Sequence, residues 1–139
     1  AAEMQEMVDS GLISVQSHTF DMHQWPPYED GSAAVRENIL QLPGESEESY
    51  VQALTEDFTR SRALLEGATG QPVDVLAYPA GQYSTLAQVT LQSLGVHVTL
   101  STNPGINTVV KGLPQTLYAM LRFGIMEDIS PEALLDMIQ

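Results

Sequence analysis

Four short apolar runs, at 12–15, 73–77, 96–100 and 117–125, are separated by stretches of helical periodicity, and this alternation constrains the fold more than any other feature. Parallel strands cannot be joined by a tight hairpin and need a crossover, usually a helix, so the pattern predicts βαβ units and an α/β fold with a parallel sheet. Residues 2–10 carry Met4, Met7 and Val8 at helical spacing, with Gly11 placed to end the helix and Leu12, Ile13 and Val15 following as a buried strand. Ser46 before Glu47 and Glu48 predicts a helix start, a hydroxyl cap with acids at the positive end of the dipole. Tyr50, Val51, Leu54, Phe58 and Leu65 mark the buried stripe of that helix as far as Gly67. Pro72 separates it from the second strand at 73–77, Ser84 caps a helix over 85–94, Gly95 closes it, and 96–100 forms the third strand. Residues 101–112 read as a polar loop, 117–125 as a fourth strand, and Ser130-Pro131-Glu132 opens a terminal helix to Ile138. Between 24 and 45, prolines, glycines and scattered polar residues predict an irregular loop with one helical turn over 33–40.

Ligands of such sheets bind at the carboxyl ends of the strands. There the first apolar run opens into His18 and His23, five residues apart. On a helix that separation places side chains about 140° apart, and on a strand it points them to opposite faces. The pair can share a ligand only if the strand ends near Ser17 and an irregular turn returns His23 to His18. Histidine is the commonest ligand of zinc-like metals, which makes the two candidate metal ligands. For the spacing taken alone, two unrelated polar residues in a surface loop are the commoner reading, and the context must improve on it.

The stretch Met7-Val8-Asp9-Ser10-Gly11-Leu12, followed by Ser17-His18-Thr19 and His23, resembles the second signature motif of the polysaccharide deacetylase family, carbohydrate esterase family 4. Val75-Leu76-Ala77-Tyr78-Pro79-Ala80-Gly81-Gln82-Tyr83 is similar to the family's next motif, a strand ending in an aromatic-Pro-Tyr-Gly loop, and 86–96 to the helix-glycine-strand after it. The likeness extends from Met4 to Ile125 and is weak between Gln24 and Glu45. It implies a partial or distorted (β/α) barrel of the glycoside hydrolase/deacetylase type, with His18 and His23 as metal ligands and the Ala80 backbone N–H as an oxyanion donor. The implied metal is divalent, zinc first and cobalt or nickel next. The implied substrate is an acetylated polysaccharide, and the implied location is extracytoplasmic or secreted.

Departures from the family pattern qualify this expectation. The first family motif, paired aspartates giving a general base and the third metal ligand, has no counterpart in the sequence. Tyr28-Glu29-Asp30-Gly31 imitates it but lies downstream of the histidines, after two prolines, and reads as a turn. Ala77 stands where the family often has arginine, and Ala80 where it has tyrosine, a loss tolerable if the role belongs to a backbone N–H. The last motif usually presents a histidine as general acid, whereas the matching run is Met120-Leu121-Arg122-Phe123-Gly124-Ile125. Some family branches place arginine on that strand, which makes Arg122 a candidate catalytic residue; a solvent-exposed charge at a strand end is the alternative. A closed barrel usually needs about 250 residues. The 139 residues are therefore expected to form one deacetylase-like domain lacking strands at its N-terminal side, with no leader or transmembrane run ahead of the first helix.

Composition narrows the classes. No cysteine is present, which excludes disulfides, thiolate metal sites and cysteine nucleophiles. A net charge of −13 with five Lys and Arg argues against nucleic acid and anionic membrane surfaces as partners. Trp25 and Tyr28, beside the proposed site, suit either stacking on sugar rings or covering the core. His97, between valines, reads as a polar-face strand histidine, and the absence of Gly-x-Ser-x-Gly disfavours a serine hydrolase. Three readings remain: a metal-dependent deacetylase of N- or O-acetylated glycans, inactive in this chain alone; a deacetylase-like domain that binds glycan or protein without catalysis; and a piece of another α/β barrel hydrolase with accidental histidines. Open sheet edges also make self-association an expectation.

Overall fold

The computed structural model describes residues 2–25 and 35–138. Helix α1 spans Ala2–Asp9 and stops where Gly11 takes a φ of +71°. Helix α2, Glu47–Thr69, begins at the expected cap: the Ser49 N–H donates to the Ser46 side chain at 3.2 Å, and Glu47 and Glu48 sit in the first turn. It continues two residues past Gly67 and ends at Gly70, which is left-handed at φ +66° and donates its N–H to the Glu66 carbonyl. Strand β1 is Val75–Ala77, helix α3 Thr85–Ser93 with the Ser84 cap in place, strand β2 Val98–Leu100 and helix α4 Pro131–Met137 with Ser130 as its cap.

β1 and β2 pair in parallel, with Val75 opposite Val98 and Ala77 opposite Leu100. On the outer side of β1, Ser17 forms a parallel bridge to Leu76, and on the outer side of β2, Met120 forms one to Leu100. Four parallel segments therefore lie side by side in chain order. Helix α2 packs against α1 and α3. Tyr50, Leu54 and Phe58 of α2 bury against Leu76, Tyr78, Leu91 and Val96, with Met22 and Ile39 closing the same cluster from the loops. Burial of such side chains, worth roughly 1.5–3 kcal/mol each, is the main force holding the layers together.

Both outer segments differ from the strands expected of them. Leu12 is 89% exposed and Ile13 is exposed, and the only residue of the first run's end that bridges β1 is Ser17. A side chain takes the place of the ladder there: the Gln16 amide oxygen accepts from the N–H groups of Asp74 and Val75, and its nitrogen donates to the Pro72 carbonyl. At 117–125, Ala119 turns left-handed at φ +53° and donates its N–H to the Thr99 hydroxyl, breaking the extended run beside Met120. Asn107 then acts as a surrogate strand, accepting from Leu121 N–H and donating to Leu121 O, both at 2.8 Å. Residues 35–40 are irregular, without the expected helical turn, and the rest of that prediction and the Tyr28-Glu29-Asp30-Gly31 turn lie outside the described residues. The described residues show a two-stranded parallel ladder with flanking bridges, not a closed barrel.

Candidate metal centre

Ser17 ends the first segment by bridging β1, and the chain then turns through 18–23. Thr19 reverses direction with a φ of +72°, a conformation uncommon for a β-branched residue. Met22 anchors the far side of the turn in the core. His18 and His23 consequently face each other, with ring centroids 5.2 Å apart and planes at 87°.

The tautomer of both rings follows from their partners. His18 Nδ1 lies 2.8 Å from the Ala77 carbonyl and His23 Nδ1 2.9 Å from the Glu37 carbonyl. A carbonyl oxygen only accepts, so each Nδ1 carries a proton, and in the neutral ring Nε2 is then the nitrogen with the lone pair. A carbonyl on the second nitrogen is the usual support of a metal-bound histidine, because it fixes tautomer and ring orientation. The spacing also fits a shared ion. With metal to nitrogen distances of about 2.0–2.1 Å, two rings at a tetrahedral angle have centroids about 5 Å apart. Among the described residues no group of three His, Cys, Asp or Glu side chains could hold a metal, so the donors present are the two imidazoles.

The bond from His18 to Ala77 ties the histidine turn to the end of β1, three residues before Ala80. Residues Pro79–Gly81 form one 3₁₀ turn, closed by Gly81 N–H to Tyr78 O and Gln82 N–H to Pro79 O. Ala80 is exposed and left-handed, at φ +52°. Its N–H has no acceptor among the described residues. Gly81 is required here on two counts: its φ is +68°, and a Cβ would stand 2.0 Å from the Thr102 hydroxyl and 2.7 Å from the Thr102 nitrogen. Arg122 is exposed, its backbone N–H bonded to Asn103 O, and among the described residues no ion pair fixes its guanidinium. Trp25 is exposed, and Tyr28 lies outside the described residues. His97 is on the polar face as expected, 3.4 Å from the Asp74 carboxylate.

Sequence reasoning missed the residues that shape the turn. Asp57 of α2, 9% exposed, accepts from Phe20 N–H at 2.9 Å and Asp21 N–H at 2.6 Å. Burial raises its carboxyl above the usual range, while the two N–H bonds pull the other way. Ser61, one turn further on, shares a 2.8 Å hydrogen bond with Ser17. A signal was available: Asp57 and Ser61 are polar residues on the buried face that Tyr50, Leu54 and Phe58 define.

The family model for polysaccharide deacetylases matches residues 1–99. No match is found among curated proteins. Of the solved structures, a de-N-acetylase from Aggregatibacter actinomycetemcomitans is similar over 99% of this chain and 52% of its own, at 21% identity and a TM-score of 0.72. A polysaccharide deacetylase from Bacillus cereus is similar over 99% of this chain and 36% of its own, at 25% identity and a TM-score of 0.69. The deacetylase domain of BpsB from Bordetella bronchiseptica is similar over 88% of this chain and 48% of its own, at 23% identity and a TM-score of 0.64. The chain thus spans about a third to a half of the length of these structures. With its model matched over most of the chain and the histidine and Tyr78-Pro79-Ala80-Gly81 motifs on adjoining strand ends, the protein belongs to the polysaccharide deacetylase family.

Proposed function

We propose that this chain supplies the histidine half of a metal-dependent hydrolase that removes acetyl groups from a polysaccharide. The observation that carries the reading is the convergence of His18 and His23, both with Nδ1 bonded to a backbone carbonyl and with no partner for Nε2 among the described residues. A divalent ion, zinc first and cobalt or nickel next, lowers the pKa of water from about 15.7 to about 7 and polarises an acetyl carbonyl. His18 and His23 would hold it through Nε2, with the carbonyls of Ala77 and Glu37 fixing the orientation of their rings. The Ala80 N–H, on the loop that follows the His18 support, is the proposed donor to the oxyanion that develops on the acetyl group. Arg122 offers a cation for the glycan or the leaving group. The third ligand and the general base come from outside the described residues, and the layered segments form part of a (β/α) barrel. An extracytoplasmic setting follows from a cell-surface or extracellular glycan as substrate.

A second reading, a deacetylase-like domain that binds glycan without catalysis, is favoured by the lack of a third ligand among the described residues. Acetate release from an N-acetylglucosamine oligomer by the whole protein, with zinc supplied, separates the two. The hydrolase reading expects turnover that chelation abolishes and His18→Ala reduces at least a hundredfold. Glycan binding without acetate release decides for the second.

A further inference from the structure

One turn of α2 grips the histidine loop at three places. The Asp57 carboxylate takes the successive N–H groups of Phe20 and Asp21, the Arg60 guanidinium lies 3.9 Å over the Phe20 ring, and the Ser61 hydroxyl meets that of Ser17. Among the described residues Asp57 makes no ion pair, although a buried carboxylate without a cation is costly. Its compensation comes from the two N–H groups of the loop, and charged acceptors bind such donors about twice as strongly as neutral ones. Both donors lie between the histidines, in the short stretch that must reverse the chain. We propose that Asp57 is a positioning residue that sets the convergence of His18 and His23, with Ser61 holding the entry of the same turn. The functional part of this inference rests on the histidines being metal ligands.

Asparagine at this position keeps the size but offers one carbonyl oxygen and turns an NH₂ donor toward a second N–H, so it cannot close both bonds. In the full chain, Asp57→Asn is expected to remain folded by far-ultraviolet circular dichroism, to lose the proton NOE between the two imidazole rings, and to bind zinc about tenfold more weakly than wild type by calorimetry. Asp57→Glu keeps two acceptor oxygens and is expected to recover at least part of the ring-to-ring NOE. A folded Asp57→Asn with the NOE and zinc affinity of wild type overturns the proposal. If Asp57→Asn does not fold, amide exchange in wild type decides: Phe20 and Asp21 are expected to be as protected as the middle of α2, and exchange at the rate of a free loop overturns the proposal. A wild type that shows the NOE and loses it in Asp57→Asn supports the clamp whatever its zinc affinity, and zinc binding that survives loss of both histidines removes the metal reading alone.

Discussion

The histidine loop at 18–23 has one bond of its own, Met22 N–H to the Thr19 hydroxyl, and is otherwise held from outside, by Asp57 of α2, by Ala77 of β1, by Glu37 and, through Ser17 at its entry, by Ser61. The Pro79–Gly81 loop beside it is held by its own backbone, through Gly81 N–H to Tyr78 O and Gln82 N–H to Pro79 O. Both contain a non-glycine residue at positive φ, Thr19 in one and Ala80 in the other. The contrast teaches where each is vulnerable. A locally closed loop fails through its own residues, and a loop held from outside fails through residues dozens of positions away.

The largest effect is expected in the self-held loop. Gly81→Ala adds a methyl group against Thr102 in a backbone conformation that alanine rarely adopts. It should lower stability by about 2–5 kcal/mol in urea unfolding. A loss under 1 kcal/mol would show that the loop is not locally constrained. For the histidine loop, Ser17→Ala removes the partner of Ser61 and the acceptor of Thr19 N–H, leaving a buried hydroxyl unsatisfied. A cost of about 1–3 kcal/mol is expected by the same method, with the perturbation visible at His18 in NMR spectra. Ser46→Ala, which touches neither loop, should cost about 1 kcal/mol by loss of the α2 cap and leave the histidine signals in place.

The pH dependence sharpens the comparison on the exit side of the histidine loop. Gln24 pairs there with Arg36, and Arg36 with Glu45, close to the Glu37 carbonyl that supports His23. The hydrogen bond from Arg36 holds the Glu45 carboxyl below the ordinary glutamate value. A carboxyl depressed in the folded state contributes stability above its unfolded pKa and loses it as pH falls through the folded value. Asp57, raised by burial, has the opposite sign: its ionisation opposes folding at neutral pH, and acid relieves that opposition. The difference in melting temperature between wild type and Glu45→Gln should therefore be largest near neutrality and shrink as pH falls through the depressed Glu45 value. The smallest effect is Ala80→Gly, where glycine relieves the left-handed strain at the cost of a more flexible unfolded chain, a net change of about 1 kcal/mol or less.

Legibility in the sequence followed the range of the forces involved. The Ser46, Ser84 and Ser130 caps, the Gly11 and Gly95 stops and the apolar stripe of α2 are written in residues a few positions apart, and they lie where the pattern indicated. The outer strands were not legible, because Gln16 and Asn107 look like ordinary polar residues until their side chains take the place of backbone partners. The site divides the same way. His18, His23 and Ala80 were visible as motif residues. The turn that brings the histidines together depends on Asp57, more than thirty positions away, and nothing local to the pair indicates it.

The most direct measurement is a zinc or cobalt titration of the chain by calorimetry, alongside a variant carrying both His18→Ala and His23→Ala. The account predicts one saturable site per wild-type chain, absent from the double variant and weakened in each single one. Saturable binding that persists unchanged in the double variant would contradict the claim that the two histidines form a metal centre.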